Sequence, residues 1–439
     1  MEISLLNRRM LAGCGLECGD LPAWDALAAQ KYRFVVDFGL ADLPDEPGLI
    51  ILRGPRQYGK STWLEFQIAR TYEAHGAGSC FYLNGDDIAD EGDLFEQCSQ
   101  IISLFGKGSV KRLFIDEISA VHNWQGAIKR LWDRGLSRDV LIVTTGSHAH
   151  DLLKGSELLP RRKGKLARST FLFTPISYRS FCDVALSIET PLPLSDRIAT
   201  YLLSGGSPLA CNSLLERGTI EPFIIELVRD WVFRIIGEAG RDRGTALHIF
   251  NELHLRGGSA VSLTKTSQEA GVANNTVALG YIELLESALF LHRSYPFDLA
   301  KGKQIARKES KFPFINLLGA VTFSPQRLRS VSDWHRLPES RQGVWIEWLV
   351  AQELWRRAMV RGDRFDQTIP FLSSGEREID FFLNDVAYEV KRGNTTADEF
   401  VWFHRAYPKK HLVVISSKRF ETRWCTGLTL EDFLLGWGE

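Results

Sequence analysis

Short apolar segments alternate with amphipathic stretches between residues 47 and 190. The stretches between the apolar segments are long enough for a helix, and this alternation is typical of a parallel α/β sheet. The apolar segments are LIIL (49–52), SCFYLNG (79–85), VKRLFIDE (110–117) and DVLIVTTGS (139–147). The pattern predicts an α/β domain over residues 47–190, preceded by an N-terminal segment over residues 1–46.

The pattern changes after residue 190. The stretch SIETPLPLSD is rich in turn-forming residues and is typical of a linker. Residues 191–240 then have the character of helices around the turn sequence GGSP. Residues 326–439 combine a long amphipathic helix, a hairpin and the apolar strand HLVVISS, which predicts a second α/β domain.

Residues 241–325 contain a helix-turn-helix pattern. A short helix is followed by a turn at Gly271 and by a second helix that Asn274 or Asn275 would cap. The strand-like segment ALFLHRSY comes next, so we predict a winged helix. Its second helix, NNTVALGYIELLES, has two glutamates and no Lys or Arg, which favours a structural or protein-contact role over DNA binding.

Composition limits the classes of protein that fit. The 439 residues predict about three domains at roughly 150 residues each. Lys and Arg number 53 against 54 Asp and Glu, so the whole molecule has no attraction for nucleic acid and any such binding must be local. Seven cysteines without a Cys-x-x-Cys pair favour a reducing compartment. No apolar run approaches the roughly 20 residues of a membrane span, so we expect a cytoplasmic protein with no membrane partner.

The segment GPRQYGKST follows the first apolar run and has the full P-loop pattern. Free backbone N–H groups at the start of the next helix favour phosphate there. Lys60 would reach the β- and γ-phosphates of ATP, and Ser61 would bind Mg²⁺. The residues predicted to bind the nucleotide here are Gly54, Pro55, Arg56, Gln57, Tyr58, Gly59, Lys60, Ser61 and Thr62.

Two acids end the third apolar run and complete the pattern of a nucleoside triphosphatase. Asp116 would bind the nucleotide's Mg²⁺, and Glu117 would polarise the attacking water. After the fourth run, Thr145 or Ser147 would stand between these acids and the γ-phosphate. The sequence therefore predicts an ATPase whose cofactors are ATP and Mg²⁺.

Together, the segments GPRQYGKST, LFIDE, VTTGS, PISYRSF and YLLSGGSP resemble a group of archaeal and bacterial AAA+ ATPases over most of the chain. The resemblance implies an AAA+ core, a helical lid over residues 191–240 and a homo-oligomer. It also implies that the polar residue after the fourth strand is sensor 1.

An arginine finger is expected soon after that strand, within LLPRRKGKLARS. Arg162 is the first choice, and Arg161 or Arg168 is the reserve. Arg161 stands where the group has a glycine. The basic residues of this segment are equally typical of a solvated loop or of a contact with a nucleic-acid backbone.

The segment EIDFFLNDVAYEVK near the C-terminus alternates with a period of two around an Asn-Asp turn, so it predicts a hairpin. If Asn384 and Asp385 are the loop, Asp380 lies opposite Glu389. Their Cβ atoms would then be about 5 Å apart, where like charges repel each other. A divalent cation would relieve the repulsion.

This arrangement resembles the PD-(D/E)xK nuclease core. The resemblance implies that Asp380, Glu389 and Lys391 are the motif residues, with Mg²⁺ or Mn²⁺ bound by the acids. Glu347, an acid on an apolar helix face, is predicted as a further ligand. The alternative is a polar hairpin face on which Glu378 pairs with Lys391. A second acid-x-Lys triplet, ESK at residues 309–311, is treated as a chance match.

Two functions follow from the sequence. In the first, the nucleotide state of an AAA+ ATPase controls a metal-dependent nuclease that acts on DNA or RNA, in defence against foreign genetic elements. In the second, the protein is an ATP-driven switch or scaffold whose nuclease-like domain is catalytically silent and serves as a binding surface.

Overall fold

The computed structural model describes most of the chain, which folds into two compact units. One unit comprises Met1–Thr174 with Met359–Gly362, and the other comprises Pro175–Ala358 with Asp363–Glu439. The N-terminal segment thus belongs to the first unit, and the other predicted domain boundaries stay predictions. No helix in the described part of the chain is long and apolar enough to cross a membrane. The described residues are 4–55, 58–108, 110–146, 166–188, 192–272, 274–305, 309–363, 368–374 and 377–436.

The first unit is built on a parallel sheet of five strands. Their order is β2-β3-β4-β1-β5, so β1 lies between β4 and β5 near one edge. The four apolar runs form four of the strands, which confirms the predicted α/β core. The strands are β1 (Gly48–Arg53), β2 (Cys80–Asn84), β3 (Arg112–Asp116), β4 (Leu141–Gly146) and β5 (Thr170–Leu172).

Three helices of this unit, over residues 60–75, 91–102 and 124–133, bury several apolar side chains each. In the last of them, residues 124, 127, 128 and 131 are buried, at the spacing of one helix face. Asp90 caps the fourth helix by accepting a hydrogen bond from Asp93 N. The helices are α1 (Leu5–Ala12), α2 (Pro22–Ala28), α3 (Lys60–His75), α4 (Glu91–Ile102) and α5 (Trp124–Asp133).

Two buried polar side chains tie the N-terminal segment to the sheet and to α3. The Asn7 side-chain amide donates to Tyr82 O and accepts from Tyr82 N, both at 2.8 Å, along the edge strand β2. Glu65 of α3 accepts a hydrogen bond from Trp24 N at 2.8 Å. Burial raises the pKa of Glu65 to about 7. Residues 1–46 are therefore anchored by specific hydrogen bonds to the α/β core.

Seven helices come first among the described residues of the second unit. In the predicted helix-turn-helix, Gly271 has a φ of 65°, and Asn274 caps the following helix by accepting from Val277 N. Antiparallel bridges at Leu291–Phe314 and Ser294–Lys311 follow, and the winged helix itself stays a prediction. The helices are α6 (Tyr178–Ile188), α7 (Leu194–Ser204), α8 (Pro208–Arg217), α9 (Pro222–Glu238), α10 (Arg243–Leu255), α11 (Leu263–Glu269) and α12 (Asn275–Ser287).

Two sheets and further helices complete the second unit. A four-stranded sheet has the order β7-β6-β8-β9, and a five-stranded sheet has the order β10-β11-β12-β14-β13. The strands are β6 (Pro296–Asp298), β7 (Lys303–Gln304), β8 (Phe371–Ser374), β9 (Arg377–Ile379), β10 (Phe381–Leu383), β11 (Val386–Val390), β12 (His411–Ser416), β13 (Phe420–Glu421) and β14 (Cys425–Thr429). The helices are α13 (Leu317–Thr322), α14 (Val331–Arg336), α15 (Glu339–Arg361), α16 (Val401–Ala406) and α17 (Leu430–Leu435).

The hairpin β10–β11 has the register that the sequence predicts. Leu383 pairs with Val386, and Asn384 and Asp385 form the two-residue loop. Both loop residues have positive φ, 50° and 67°, as a type I′ turn requires.

Candidate functional site

The P-loop connects β1 to α3 at the carboxyl end of the first sheet. Lys60 Nζ donates to Gly54 O at 2.9 Å and to Pro55 O at 2.8 Å, so the ammonium group lies against the loop. A Cβ at Gly54 would stand 2.7 Å from Phe173 O, and Gly59 has a φ of 92°. Both positions therefore require glycine.

The other residues of the loop divide into two groups. Ser61 and Thr62 lie in the first turn of α3, where backbone N–H groups lack helical partners. The Tyr58 side chain is buried, so we expect it to support the loop from within. Arg56 and Gln57 lie outside the described residues.

The two acids at the end of β3, Asp116 and Glu117, are held by a residue of β4. Thr145 Oγ1 donates to Asp116 Oδ1 and accepts from Glu117 N at 3.0 Å. Glu117 N also donates to Asp116 Oδ1 at 3.0 Å, and Glu117 has a φ of 43°. The Glu117 carboxylate accepts from Ser119 Oγ at 2.8 Å. Thr145 thus fixes both acids through one hydroxyl.

Sheet order brings these groups to one edge. Strand β4 pairs with β1 on one side and with β3 on the other, all in parallel. Parallel strands place their carboxyl ends together, so Asp116, Thr145 and the P-loop share that edge. The hydroxyl of Ser61 and the carboxylate of Asp116 are hard oxygen ligands of the kind that Mg²⁺ takes, so the donor set fits this ion.

The other residues predicted for this site differ in whether the structure describes them and in what they contact. Thr145, one of two candidates for sensor 1, is the one that contacts Asp116, whereas Ser147 lies outside the described residues. Arg161 and Arg162 also lie outside them. Arg168 donates from Nε to Thr170 O at 3.0 Å, and its guanidinium lies 4.3 Å from the centre of the Phe171 ring. This engagement with its own sheet makes Arg168 a poor arginine finger.

A comparison with protein families agrees with the P-loop core described above. Residues 46–182 match the family model of an AAA domain. The described residues of this range up to Thr174 form a parallel-sheet P-loop AAA-like core, and this supports ATP binding and ATPase activity. A comparison with curated proteins finds no match.

Solved structures with some likeness to the chain include several P-loop ATPases. The Walker-type ATPase PABY2304 of Pyrococcus abyssi is 12% identical, covers 63% of this chain and 90% of its own, and has a TM-score of 0.42. The Aeropyrum pernix ORC2 protein is 12% identical, with coverages of 65% and 91% and a TM-score of 0.36. The Thermotoga maritima RuvB Holliday junction branch migration motor is 15% identical, with coverages of 60% and 84% and a TM-score of 0.32. Likenesses this distant carry no weight for function.

The C-terminal hairpin brings the predicted acids together. Asp380 N donates to Glu389 Oε2 at 3.2 Å, and Asp380 Oδ2 accepts from Val390 N at 2.9 Å. Lys391 Nζ lies 2.6 Å from Glu389 Oε1. Asp380 is therefore opposite Glu389, and the lysine of the motif pairs with the glutamate of the motif.

Lys311, the lysine of the second acid-x-Lys triplet, lies among the acids. Lys311 Nζ is 2.6 Å from Glu378 Oε1, 2.9 Å from Asp380 Oδ1 and 3.5 Å from Glu347 Oε1. Its side chain is only 3% exposed. The alternative pairing of Glu378 with Lys391 is therefore wrong. The available signal was the position of Lys311 directly before the apolar run FPFI, where a cation needs a buried partner.

We define the acid cluster as Glu347, Glu378, Asp380 and Glu389. Burial shifts the pKa values of groups in and around this cluster. Burial, with the charge of Asp380 next, raises the pKa of Glu389 to about 8. Burial likewise raises the pKa of Glu347 to about 7, although Lys311 opposes the shift. For Lys311, burial alone would lower the pKa, but Asp380, Glu347 and Glu378 raise it well above its ordinary value.

The acid cluster as folded fits an ammonium group better than a divalent metal. Within the described ranges, no group of three or more His, Cys, Asp or Glu side chains is arranged to hold a metal ion. The oxygens of the cluster surround lysine nitrogens instead. The predicted role of Glu347, Asp380 and Glu389 as ligands of Mg²⁺ or Mn²⁺ thus does not agree with this arrangement.

A cleft of about 300 Å³ opens beside the acid cluster. It is lined by Glu347, Lys391 and Arg392 and by the loop that contains Gly257 and Gly258. A Cβ at Gly258 would stand 2.9 Å from Glu347 Oε2, and its φ is 81°, so only glycine allows this approach.

Thr145→Val should lower ATP turnover at least roughly tenfold while nucleotide affinity changes little, because the hydroxyl that positions Asp116 and Glu117 is lost. Thr144→Val is the matched control, since Thr144 is equally buried but donates to Ile50 O instead. Phosphate release and nucleotide titration of both variants measure the effect. Equal rates for the two variants would remove Thr145 from the mechanism.

Proposed function

We propose that the protein binds and hydrolyses ATP. The observation that carries the proposal is the contact of Thr145 with Asp116 and Glu117 beside a complete P-loop. When ATP binds, Lys60 Nζ gives up its hydrogen bonds to Gly54 O and Pro55 O and binds the β- and γ-phosphates instead. The Glu117 carboxylate then gives up its hydrogen bond from Ser119 Oγ, accepts one from the attacking water and polarises that water.

Ser61 and Asp116 would hold Mg²⁺, whose charge offsets that of the phosphates. Thr145 keeps Asp116 and the backbone of Glu117 in place during hydrolysis. The hydroxyl is completely buried at the end of β4, so its orientation is fixed by the sheet.

We also propose that the protein works as a homo-oligomer. The support is the resemblance to AAA+ ATPases, in which an arginine finger acts on the γ-phosphate of a neighbouring subunit. Arg162 is the proposed finger. Ser147, directly after β4 in the sequence, is the other candidate for the polar residue between the acids and the γ-phosphate. A helical lid, a winged helix and a C-terminal restriction-endonuclease-like domain complete the proposed architecture.

Two functions are proposed for the C-terminal domain. In the first, the nucleotide state controls a nuclease that acts on DNA or RNA, and the order of helix α15, the hairpins and strand β12 supports it. In the second, the domain is silent and binds a partner. The two lysines that share the acid cluster favour the second, and the cleft beside Lys391 and Arg392 offers a surface for it.

Lys60→Ala should abolish ATP turnover and weaken nucleotide binding, because it removes the charge that meets the phosphates. Lys129→Ala, at an exposed position of α5, is the control and should leave both unchanged. Titration with a fluorescent ATP analogue and phosphate release measure the two effects. Full turnover in Lys60→Ala would place hydrolysis elsewhere in the protein.

Glu117→Gln should keep ATP binding and slow turnover at least roughly tenfold, because the amide cannot polarise water. Single-turnover hydrolysis separates this step from product release. Hydrolysis at the wild-type rate would refute the role of Glu117.

Arg162→Ala should lower ATP turnover with nucleotide affinity nearly intact, because a finger acts in the transition state of the neighbouring site. The wild-type rate per chain should rise with protein concentration as the oligomer forms, as followed by light scattering. A monomer that hydrolyses ATP at full rate would contradict the intersubunit site.

Wild-type protein should not cleave supercoiled plasmid or single-stranded RNA with Mg²⁺ or Mn²⁺, with or without ATP. Asp380→Asn should therefore match the wild type in this assay. Asp385→Asn, exposed on the same hairpin, is the control for contaminating nuclease. Cleavage that Asp380→Asn abolishes and Asp385→Asn retains would establish the nuclease instead.

A further inference from the structure

The position of Lys311 is set by backbone pairing in a segment separate from the hairpin. Lys311 N donates to Ser294 O at 2.9 Å, and Ser294 N donates to Lys311 O at 2.8 Å. This pair fixes the backbone at the point from which the side chain reaches the acid cluster. The ammonium group also lies 5.6 Å from the centre of the Phe371 ring. The backbone pairing and the aromatic contact therefore hold Lys311 in place beside the acid cluster.

The three carboxylates around Lys311 come from different elements. Glu347 lies on α15, Glu378 lies on β9, and Asp380 lies between β9 and β10. Their oxygens lie 2.6 to 3.5 Å from one nitrogen. A divalent metal ion at this position would likewise be surrounded by carboxylate oxygens from several elements.

We propose that Lys311 takes the place of a divalent cation in the acid cluster and excludes Mg²⁺ and Mn²⁺ from it. The inference deepens the proposed nuclease-like site and rests on that assignment. An ammonium group 2.9 Å from Asp380 leaves no room for a metal at an oxygen-ligand distance of about 2.1 Å. Two cations this close would also repel each other strongly. Lys391 Nζ contacts the remaining acid, Glu389, at 2.6 Å.

The lysine reverses the sign of one mutational effect. Two facing carboxylates alone would repel each other, so Asp380→Asn would stabilise the metal-free protein. With Lys311 Nζ 2.9 Å from Asp380 Oδ1, Asp380→Asn removes an ion pair from a buried ammonium group and destabilises the protein. The sign of the change in melting temperature without metal therefore tells the two arrangements apart.

The direct test measures Mn²⁺ binding to the full chain without nucleotide. Lys311→Met keeps the length of the side chain and removes its charge, and it should bind one Mn²⁺ per chain at least tenfold more tightly than the wild type. Lys301→Met is the matched control, because Lys301 is 68% exposed in the same unit, and it should bind as the wild type does. The double variant Lys311→Met with Asp380→Asn should lose the gained site. Isothermal titration calorimetry gives affinity and stoichiometry.

Melting temperatures and hydrogen exchange of residues 377–391 complete the test. In EDTA, both Lys311→Met and Asp380→Asn should melt below the wild type, and Mn²⁺ should restore Lys311→Met alone. Wild-type protein that binds Mn²⁺ at a site lost in Asp380→Asn would overturn the proposal. If Lys311→Met fails to fold, Asp380→Asn still decides: stabilisation in EDTA overturns the proposal, and destabilisation with faster exchange at residues 377–391 supports it.

These readouts are independent of DNA or RNA cleavage. A protein without nuclease activity whose Lys311→Met variant gains Mn²⁺ binding would retain this inference. A wild-type nuclease with an Asp380-dependent Mn²⁺ site would refute it.

Discussion

Parallel pairing of β1 with β4 is the constraint on which the ATPase site depends. Six residue pairs in register, from Gly48–Leu141 to Arg53–Gly146, end both strands at the same level. The P-loop leaves β1 there, and Thr145 lies on β4 one pair earlier, beside the acids at the end of β3. A shift by one residue would turn the side chain of Thr145 to the other face of the sheet. The catalytic arrangement is thus a property of strand register as much as of the motif.

The candidate sites are predictable from the sequence where chemistry and local geometry coincide. The P-loop spans eight consecutive residues between a strand and a helix, and the facing pair Asp380 and Glu389 follows from a two-residue turn. Both depend on short-range rules of backbone conformation. The choice between Thr145 and Ser147 was open because strand ends vary by a residue or two, whereas the contact of Thr145 with Asp116 depends on which strand is the neighbour of β3.

Lys311 could not be placed in this way. It lies 36 residues from Glu347 and 69 residues from Asp380 along the chain, and only tertiary pairing brings the three together. The resemblance to a nuclease core concerns residues 347–391 and contains no information about a cation supplied from outside them. Two carboxylates that are predicted to lie close together need a positively charged partner. That partner can be a metal or a side chain, and the alternation of polar and apolar residues does not distinguish them.

The pairing of Asn7 with Tyr82 has a consequence for how shortened chains would behave. The Asn7 amide occupies a donor and an acceptor on edge strand β2, which would otherwise be open to another strand. A fragment cut after residue 46 would expose that edge and could add strands from a second copy, an association unrelated to nucleotide. Gel-filtration mass of such a fragment would then measure sheet extension. The N-terminal segment should be kept in any preparation whose subunit number is to be interpreted.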